Sequence, residues 1–333
     1  MAYAVLLAAV AGAGFAFSCL GTRALVTLLR RRAVFDWPNV RSSHSEPVPR
    51  GGGIAIVGAI VLLWLALCGA GVLPPASLVP PLGMVALAAV SWVDDLRGLS
   101  PALRLFVQFG AVAIGIAALP PGLLFQGWLP PGLDVMATAV LWVWFINLFN
   151  FMDGIDGIAG SEAVAIGAGL VLLASVGDAR DPQIAAPATA VAAAALGFLV
   201  WNWAPARIFM GDVGSVPLGY ALGYLLYETA LRGRWQAALI LPLYFLADAT
   251  ITLLRRLLRG ERVWRAHREH FYQRAVQRGL RHDAVVIRVL AADAVLIACA
   301  WAAAMGWGFT GLAVAALTVA VLIVVLGRGA RGA

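Results

Sequence analysis

The sequence has no lysine and little charge of either sign. Its 333 residues include 24 basic side chains, all of them arginine, and 17 acidic ones. Charged residues make up only 12% of the chain, against about 25% in a typical soluble protein, and 62% of the residues are hydrophobic. A soluble globular domain is therefore excluded, and we interpret the chain as an integral membrane protein.

Cysteine is also scarce. Cys19, Cys68 and Cys299 occur singly inside apolar runs, so neither a disulfide framework nor a cysteine metal site is predicted. No repeat of fixed period is visible in the sequence. The N-terminal stretch "MAYAVLLAAV" lacks the basic region that precedes a cleaved signal. We therefore expect the first apolar segment to stay in the membrane.

Long apolar runs are abundant. A helix needs about 20 apolar residues to cross a bilayer, and eleven runs of roughly this length are separated by short loops. The predicted fold is therefore all-α, a polytopic bundle of about eleven transmembrane helices that forms one domain over residues 1–333. The predicted spans are 3–29, 52–72, 76–93, 103–119, 135–149, 160–177, 184–201, 213–230, 236–254, 287–306 and 308–326.

The arginines are distributed unevenly among the loops. Most of them follow the first, third, seventh and ninth spans or lie in the C-terminal tail, whereas the opposite loops carry only Arg180, Arg232 and Arg234. Cytoplasmic loops are enriched in basic residues, so we expect the N-terminus outside and the C-terminus in the cytoplasm. Because the arginines belong to separate membrane loops, nucleic-acid binding is not expected.

The arginine-rich loops also hold the conspicuous polar residues. They read "FDWPNVRSSHSEPVPRGGG", "SWVDDLRGLSP", "NLFNFMDGIDGIAG", "NWAPARIFMGDVGS" and "RRLLRGERVWRAHREHFYQRAVQRGLRHD", whereas outer loops such as "GVLPPA" are featureless. Ionisable groups at the ends of membrane spans cost free energy unless they are paired or face water. Their collection on one side predicts a functional site at that face of the membrane.

Five aspartates dominate these loops: Asp94, Asp95, Asp153, Asp156 and Asp212. The glycines that follow Asp153 and Asp156 allow a ligand to approach the backbone closely. Carboxylates beside a basic collar indicate a hard cation with an anionic substrate, because Mg²⁺ takes one or two carboxylates and completes its shell with phosphate oxygens and water. We therefore expect Mg²⁺ as the cofactor, with Mn²⁺ as an alternative.

Each of these signals has a simpler explanation when it is taken alone. The pair Asp94–Asp95 is also typical of a helix end that contacts an arginine such as Arg97. The stretch "DGIDG" is compatible with a turn, and "GDVGS" lacks the spacing of a phosphate loop. Asp248, at the inner end of the ninth span, is equally well explained by pairing with an arginine. The functional interpretation rests on the convergence of these signals on one face.

Together and in this order, the motifs resemble those of the polyprenyl-phosphate N-acetylhexosamine-1-phosphate transferases, glycosyltransferase family 4. "DWPNVRSSHSEPVPRGGG" resembles the first-loop pattern D-x-P-x-x-R-x-x-H followed by P-R-G-G, and "DDLRGLSP" resembles the paired-aspartate motif. "NLFNFMDGIDGIAG" is similar to N-x-x-N-x-x-D-G-x-D-G-L, with Ile158 in place of leucine. "GFLVWNWAPARIFMGDVGS" is similar to the motif that ends in M-G-D-x-G-S. The resemblance extends from about Asp36 to His270.

The resemblance implies roles for individual residues. Asp212 and Asn150 are expected to bind the metal, with Asp212 as the main ligand. Asp94 and Asp95 are expected to place the metal and the lipid phosphate, and one of them is a candidate base. With Asp212 and His267 they form the expected catalytic set. The residues expected to bind the substrate are Asn150, Asp153, Asp156, Asn202, His44, Arg50, Arg265 and His270, with Phe209 stacking on uracil and Arg41 and Arg268 completing an arginine collar.

The implied reaction transfers an N-acetylhexosamine-1-phosphate from a UDP-sugar to undecaprenyl phosphate, with release of UMP. It is expected at the cytoplasmic face of the bacterial inner membrane, where it would start a lipid-linked polysaccharide. The implied partners are undecaprenyl phosphate, the UDP-N-acetylhexosamine and membrane lipids, and a homodimer is compatible with the sequence.

The fifth inner loop bears on the choice of sugar. "HREHFYQRAVQRG" is poorer in histidine than the loop of the muramoyl-pentapeptide branch and resembles transferases that initiate O-antigen-type glycans with N-acetylglucosamine, N-acetylfucosamine or N-acetylquinovosamine. His267 and His270, at i and i+3, are expected to share a helix face. We expect them to hydrogen-bond the substrate and not to bind zinc, since no cysteine is nearby and His282 lies beyond helical reach.

Two alternatives stay open. One is a phospho-N-acetylmuramoyl-pentapeptide transferase of peptidoglycan synthesis. The other is a membrane transporter or lipid flippase, which is expected to carry polar groups near the bilayer centre and to be accessible from both faces.

Overall fold

The structure is a computed structural model that describes residues 1–38, 46–175, 180–261 and 267–328. Helices account for nearly all of its regular structure, and two short strands, β1 (Phe35–Asp36) and β2 (Val48–Pro49), pair antiparallel. The helices are α1 (Ala2–Arg31), α2 (Gly53–Gly69), α3 (Val79–Arg97), α4 (Pro101–Ala118), α5 (Pro131–Phe151), α6 (Ile158–Leu173), α7 (Pro182–Asn202), α8 (Asp212–Thr229), α9 (Trp235–Ile240), α10 (Leu243–Leu258), α11 (Phe271–Gln277), α12 (His282–Ala302) and α13 (Gly308–Arg328).

Each of the eleven predicted spans overlaps helical structure, and the prediction of a polytopic helical bundle is confirmed. By length and apolar composition alone, 6 helical segments of the described chain are able to cross a membrane, or 7 if one bent pair counts as a span. The smaller number arises because α2 and α6, with 17 and 16 residues, are short. In addition, α12 and α13 together form only one of these 6 segments, which is 47 residues long.

The chain reverses between α12 and α13. Gly306 has φ +100°, a left-handed conformation that glycine adopts without strain. Beyond this turn Gly311 packs so closely on α12 that a Cβ atom would lie 2.7 Å from the carbonyl oxygen of Cys299. The two helices are therefore separate antiparallel spans, as the sequence predicted. The ninth predicted span is broken instead, because α10 lies at 70° to the preceding helical segment.

Small residues allow the helices to approach one another closely. At Gly197 of α7, a Cβ atom would lie 2.4 Å from the carbonyl oxygen of Phe15 in α1. At Gly223 of α8, it would lie 2.4 Å from Nε1 of Trp142, which stacks on Tyr220 with ring centroids 5.1 Å apart. Close packing of this kind replaces the hydrophobic driving force that is lacking between helices in lipid. It fixes α8, whose N-terminus carries Asp212, against its neighbours.

Acidic residues also occur inside the bundle. Glu162 of α6 and Asp293 of α12 are buried and lie close enough to interact electrostatically. Asp248 of α10 is fully buried as well. The remaining polar loops meet at the end of the bundle where α3, α5, α7 and α10 end and α4, α6, α8 and α12 begin.

Candidate active site

The first and fourth inner loops are joined by backbone hydrogen bonds. Gly51 and Gly52 both donate their N–H to the carbonyl oxygen of Phe209, at 3.1 and 2.9 Å, and Gly53 donates to that of Met210 at 3.0 Å. In return, Phe209 donates its N–H to Pro49 O at 2.8 Å. The "PRGGG" and "IFMGD" segments are thereby held side by side, which places Arg50 next to Asp212.

Asp95, Asp212 and Arg50 form an ion-paired cluster at this junction. One guanidinium nitrogen of Arg50 lies 2.6 Å from Oδ1 of Asp95 and 3.0 Å from Oδ1 of Asp212. Val213 donates its backbone N–H to Oδ2 of Asp95 at 3.4 Å. Asp95 at the end of α3 therefore also satisfies a free N–H at the start of α8, where the helix dipole favours negative charge.

Asp94 does not join this cluster. Its Oδ1 accepts the N–H of Leu99 at 2.5 Å, and its Oδ2 pairs with Arg104 at 3.1 Å. The side chain therefore closes the turn between α3 and α4. The structure thus separates two neighbours that the sequence treated alike, and the arginine that Asp94 contacts is Arg104 and not the suggested Arg97.

Asn150 reaches the cluster from the end of α5. Ser215, in the first turn of α8, donates its hydroxyl to Oδ1 of Asn150 at 2.5 Å. The other asparagine of the motif, Asn147, exchanges a hydrogen bond of 2.6 Å with Gln108 of α4 and lies deeper in the bundle. Asn150 is therefore beside Asp212, whereas Asn147 joins α4 to α5.

Asp153 is electrostatically coupled to the same cluster. The pKa of its carboxyl group is raised to about 7, mainly by loss of hydration at this half-buried position and also by the nearby negative charge of Asp212. Arg50 acts in the opposite direction, and Asp156 and Asp95 add to the increase. Three aspartates from three different loops thus share one electrostatic environment at the inner end of the bundle.

This raised pKa predicts a pH-dependent effect on stability. The folded state retains a proton on Asp153 that the unfolded chain loses near pH 4, so this residue makes folding less favourable as pH rises to about 7. Asp153→Asn mimics the protonated form. In metal-free detergent solution, we expect its Tm advantage over the wild type to grow between pH 5 and pH 7 and then to level off. A difference that is constant with pH would contradict this assignment.

Asp156 and Asn202 connect loops to one another. Oδ2 of Asp156 accepts the N–H of Ala206 at 3.0 Å. Asn202 is buried, accepts the N–H of Gly157 at 3.0 Å and donates to Ile208 O at 2.9 Å. Both ends of the Asn202 amide are thus bonded within the protein, where they join the third and fourth inner loops, and its expected role in lining the pocket stays a prediction.

His282 is a site residue that the sequence reasoning missed. Its Nδ1 lies 3.3 Å from Oδ2 of Asp156, although the two residues are far apart in the chain. The side chain comes from the N-terminus of α12, which packs beside α6. Its contact with Asp156 depends on the turn between α11 and α12, which sequence spacing does not reveal.

The histidines of the fifth loop are close together, but not on a shared helix face. The ring centroids of His267 and His270 are 4.9 Å apart. Residues 267–269 are not helical, and His270 is the N-cap of α11. Its Nδ1 lies 3.0 Å from Oδ1 of Asp248, which also accepts the N–H of Phe271 at 3.1 Å. Among the described residues, Asp248 therefore pairs with a histidine and with a helix N-terminus, where the sequence had suggested an arginine.

The two histidines are expected to differ in their response to substitution. Burial lowers the pKa of His267 to about 4, with a further contribution from His270, so His267 is neutral at pH 7. His270→Ala leaves the buried carboxylate of Asp248 without its imidazole and is expected to lower Tm by several degrees. His267→Ala is expected to leave Tm nearly unchanged while it raises KM for the donor or lowers kcat. Equal Tm losses in both variants would contradict this distinction.

The other expected site residues lie at the edge of the cluster or outside the described part of the chain. Phe209 is half-buried and forms a parallel bridge with Arg50. Arg268 lies near α11, where its carbonyl oxygen accepts a hydrogen bond of 2.8 Å from Gln277. His44, Arg41 and Arg265 lie outside the described residues.

Comparison with known proteins identifies the family. The family model described as glycosyl transferase family 4 matches residues 78–230. A probable undecaprenyl-phosphate N-acetylglucosaminyl 1-phosphate transferase of Bacillus subtilis (strain 168) is 27% identical over 291 residues, which cover 82% of this chain and 79% of the relative.

The chain is also similar to phospho-N-acetylmuramoyl-pentapeptide-transferases. A phospho-N-acetylmuramoyl-pentapeptide-transferase of Mycobacterium sp. (strain KMS) is 31% identical over 354 residues, 89% of this chain and 96% of the relative. One of Synechococcus elongatus is 34% identical over 240 residues, 63% of each chain. The matches therefore include both branches that the sequence analysis distinguished. With its helical bundle, its motif order and these similarities, the chain belongs to glycosyl transferase family 4.

Proposed function

We propose that the protein transfers an N-acetylhexosamine-1-phosphate from a UDP-sugar to undecaprenyl phosphate at the cytoplasmic face of the membrane. The observation that carries the proposal is the cluster of Asp95, Asp212 and Arg50, with Asp153 in the same electrostatic environment. Acids and a guanidinium together suit a diphosphate and a cation, and the names of the relatives indicate phosphosugar transfer to a lipid phosphate.

The oxygen donors at the cluster fit Mg²⁺. Among the described residues, no group of three or more His, Cys, Asp or Glu side chains is arranged to hold a metal. Mg²⁺ does not require such a group, because it is bound by one or two carboxylates together with substrate phosphates and water. We assign Asp212 as the main ligand, with Asp95 and the amide oxygen of Asn150 as the groups next to it. When bound, the ion neutralises charge on the diphosphate.

The reaction requires positioning more than acid–base chemistry. An oxygen of the acceptor phosphate forms a bond to the β-phosphorus of the donor, the bond from that phosphorus to the bridging oxygen breaks, and UMP leaves with the electron pair. The acceptor phosphate is ionised near neutral pH, so no strong base is needed. Arg50 is placed to bind phosphate oxygens, while the neutral imidazole of His267 is able to donate a hydrogen bond.

The donor is proposed to be a UDP-N-acetylhexosamine of the GlcNAc, FucNAc or QuiNAc type, on the basis of the fifth loop. The test is a donor panel that includes UDP-N-acetylmuramoyl-pentapeptide. Purified protein is incubated with undecaprenyl phosphate and Mg²⁺, and UMP and lipid-linked product are both measured. We expect product with one or more of the simple UDP-N-acetylhexosamines. Product with the muramoyl-pentapeptide donor alone would establish the other branch.

A transporter or flippase receives less support. Asp95, Asp153, Asp156 and Asp212 all lie at one end of the bundle. The buried acids Glu162 and Asp293 lie closer to the interior of the bundle, and this is the observation that favours a transport path. With the protein reconstituted into liposomes and given the same donors, transport across the bilayer without formation of UMP would identify that function and would contradict the enzyme.

The orientation of the chain can be tested separately. We propose that the arginine-rich end of the bundle faces the cytoplasm, because UDP-sugars are cytoplasmic. Reporters fused after Arg32 or Gly260 are expected to report the cytoplasm, and one fused after Gln183 the outside. The opposite labelling would place the acid cluster away from the donor and would contradict the proposed reaction.

A further inference from the structure

A single guanidinium nitrogen bridges two carboxylates from different helices. The Arg50 nitrogen lies 2.6 Å from Oδ1 of Asp95, on α3, and 3.0 Å from Oδ1 of Asp212, on α8. The Asp95 side chain is only 5% exposed and that of Asp212 is 21% exposed. Asp36 and Asp153 add further negative charge around Arg50. The site therefore needs a positive charge, and Arg50 supplies it.

A divalent cation that shares these two oxygens competes with Arg50 for them. Mg²⁺ coordinates oxygen at about 2.1 Å. With the nitrogen 2.6 Å from Oδ1 of Asp95, the two positive charges would be less than about 5 Å apart, where repulsion is strong in a partly buried site. In the present geometry, Mg²⁺ and the Arg50 guanidinium therefore cannot both bind the two carboxylates, and one of them has to move.

The Arg50 side chain is the part that is free to move. Its backbone is fixed, because its N–H bonds to Val34 O at 3.4 Å and Gly51 and Gly52 bond to Phe209 O. Within the described residues, the guanidinium is held by the carboxylates of Asp95 and Asp212, and the Arg50 side chain is 35% exposed. Rotation about the side-chain bonds would move the guanidinium away from the carboxylates, and a diphosphate bound beside them would offer it bidentate hydrogen bonds.

We propose that Arg50 is a resident counter-cation of the Asp95–Asp212 pair and exchanges with the divalent metal when the donor diphosphate binds. The inference deepens the proposed function and rests on it for the identity of the diphosphate. Its consequence is thermodynamic coupling. Metal binding alone leaves the Arg50 guanidinium without its carboxylate partners, which costs free energy. When the diphosphate binds as well, the carboxylates contact the metal and the guanidinium contacts the phosphates. Metal and nucleotide therefore bind more tightly together than separately.

The test measures Mn²⁺ binding directly, without turnover. Electron paramagnetic resonance of free Mn²⁺ is titrated against purified protein in detergent, with no substrate present. Arg50→Gln is expected to bind Mn²⁺ at least about tenfold more tightly than the wild type, within the usual range of coupling between sites. Addition of UDP is expected to tighten Mn²⁺ binding in the wild type and to have a smaller effect in Arg50→Gln.

Arg104→Gln is the matched control. It removes one positive charge from an arginine that pairs with the neighbouring Asp94, so it reports the general effect of charge on Mn²⁺ affinity. If Arg50→Gln does not give monodisperse protein, Arg50→Met serves as a second uncharged variant. Arg50→Lys, which keeps the charge, is expected to bind Mn²⁺ more like the wild type than like Arg50→Gln.

Several outcomes would overturn the exchange. The first is that Arg50→Gln and Arg50→Met bind Mn²⁺ no more tightly than Arg104→Gln does. The second is that UDP changes the Mn²⁺ affinity equally in the wild type and in Arg50→Gln. The third is that none of the proteins binds Mn²⁺ saturably. Failure here is distinguishable from failure of the proposed function. Sugar-phosphate transfer by the wild type with unchanged Mn²⁺ affinity in Arg50→Gln would remove the exchange alone. Tighter Mn²⁺ binding without transfer of any donor would remove the proposed reaction alone.

Discussion

Asp212→Asn is expected to lower turnover by about 1000-fold or more, which corresponds to about 4 kcal/mol of transition-state stabilisation. The substitution preserves the shape of the side chain and removes its charge. Asp212 is the first residue of α8, contacts Arg50 at 3.0 Å and lies one turn from Ser215, which holds Asn150. It contributes both to the proposed metal site and to the negative charge around Asp153.

Asp283→Asn is the matched control for this variant. Asp283 is also an aspartate in the first turn of a helix, α12, but it pairs with Arg281 outside the cluster. We expect it to retain activity. Turnover is measured over a Mg²⁺ titration, together with the elution profile of the detergent-solubilised protein. If folded Asp212→Asn keeps more than about a tenth of the wild-type rate, a loss of only about 1.4 kcal/mol, Asp212 is not the central ligand.

Gly53→Ala is expected to affect both stability and activity. A methyl group at Gly53 would lie 2.1 Å from Cα and 2.4 Å from N of Gly214. Both of these are backbone atoms, so no side chain can rotate to relieve the contact and α2 must move away from the start of α8. Overpacking of this kind costs about 1–3 kcal/mol. The same displacement moves Asp212 relative to Asp95, and an error of about 1 Å in a catalytic geometry can cost about 100-fold in rate.

Gly58→Ala provides the comparison within the same helix. A Cβ atom at Gly58 meets no atom within 4 Å, and alanine is the better helix former. We therefore expect Gly58→Ala to match or slightly exceed the wild-type Tm and to keep full activity. Tm and initial rate are measured for both variants under identical conditions. Wild-type behaviour of Gly53→Ala would show that the contact between α2 and α8 does not determine the geometry of the site.

The helical bundle and the end of it that carries the candidate site could be predicted from the sequence, because both follow from the distribution of apolar and charged residues along the chain. A run of about 20 apolar residues has one stable arrangement in lipid, the helix, so spans are recognisable one at a time. The acids stood out because charged groups are costly at that depth. The breaks were harder to predict. The bend before α10 and the turn at Gly306 depend on packing between helices as well as on hydropathy.

The roles of individual residues could not be read from spacing. Asp94 and Asp95 are neighbours on α3, and about 100° of helical rotation separates their side chains, so only one of them faces Asp212. Sequence alone does not give the phase of that rotation. The contact between His282 and Asp156 depends on where α12 starts relative to α6, which is a tertiary property. The contact between His270 and Asp248 likewise joins two different helical elements, so sequence spacing did not predict it.

The central claim is that a phosphosugar, and not a sugar alone, is transferred to the lipid. It is tested most directly with a UDP-N-acetylhexosamine labelled with one isotope in the sugar and another in the β-phosphate, incubated with undecaprenyl phosphate, Mg²⁺ and purified protein. The donor is the one that is active in the panel. The account predicts that both labels appear in the lipid product in equal amounts and that the released nucleotide is unlabelled UMP. Sugar label in the lipid with the phosphate label left in UDP would contradict it.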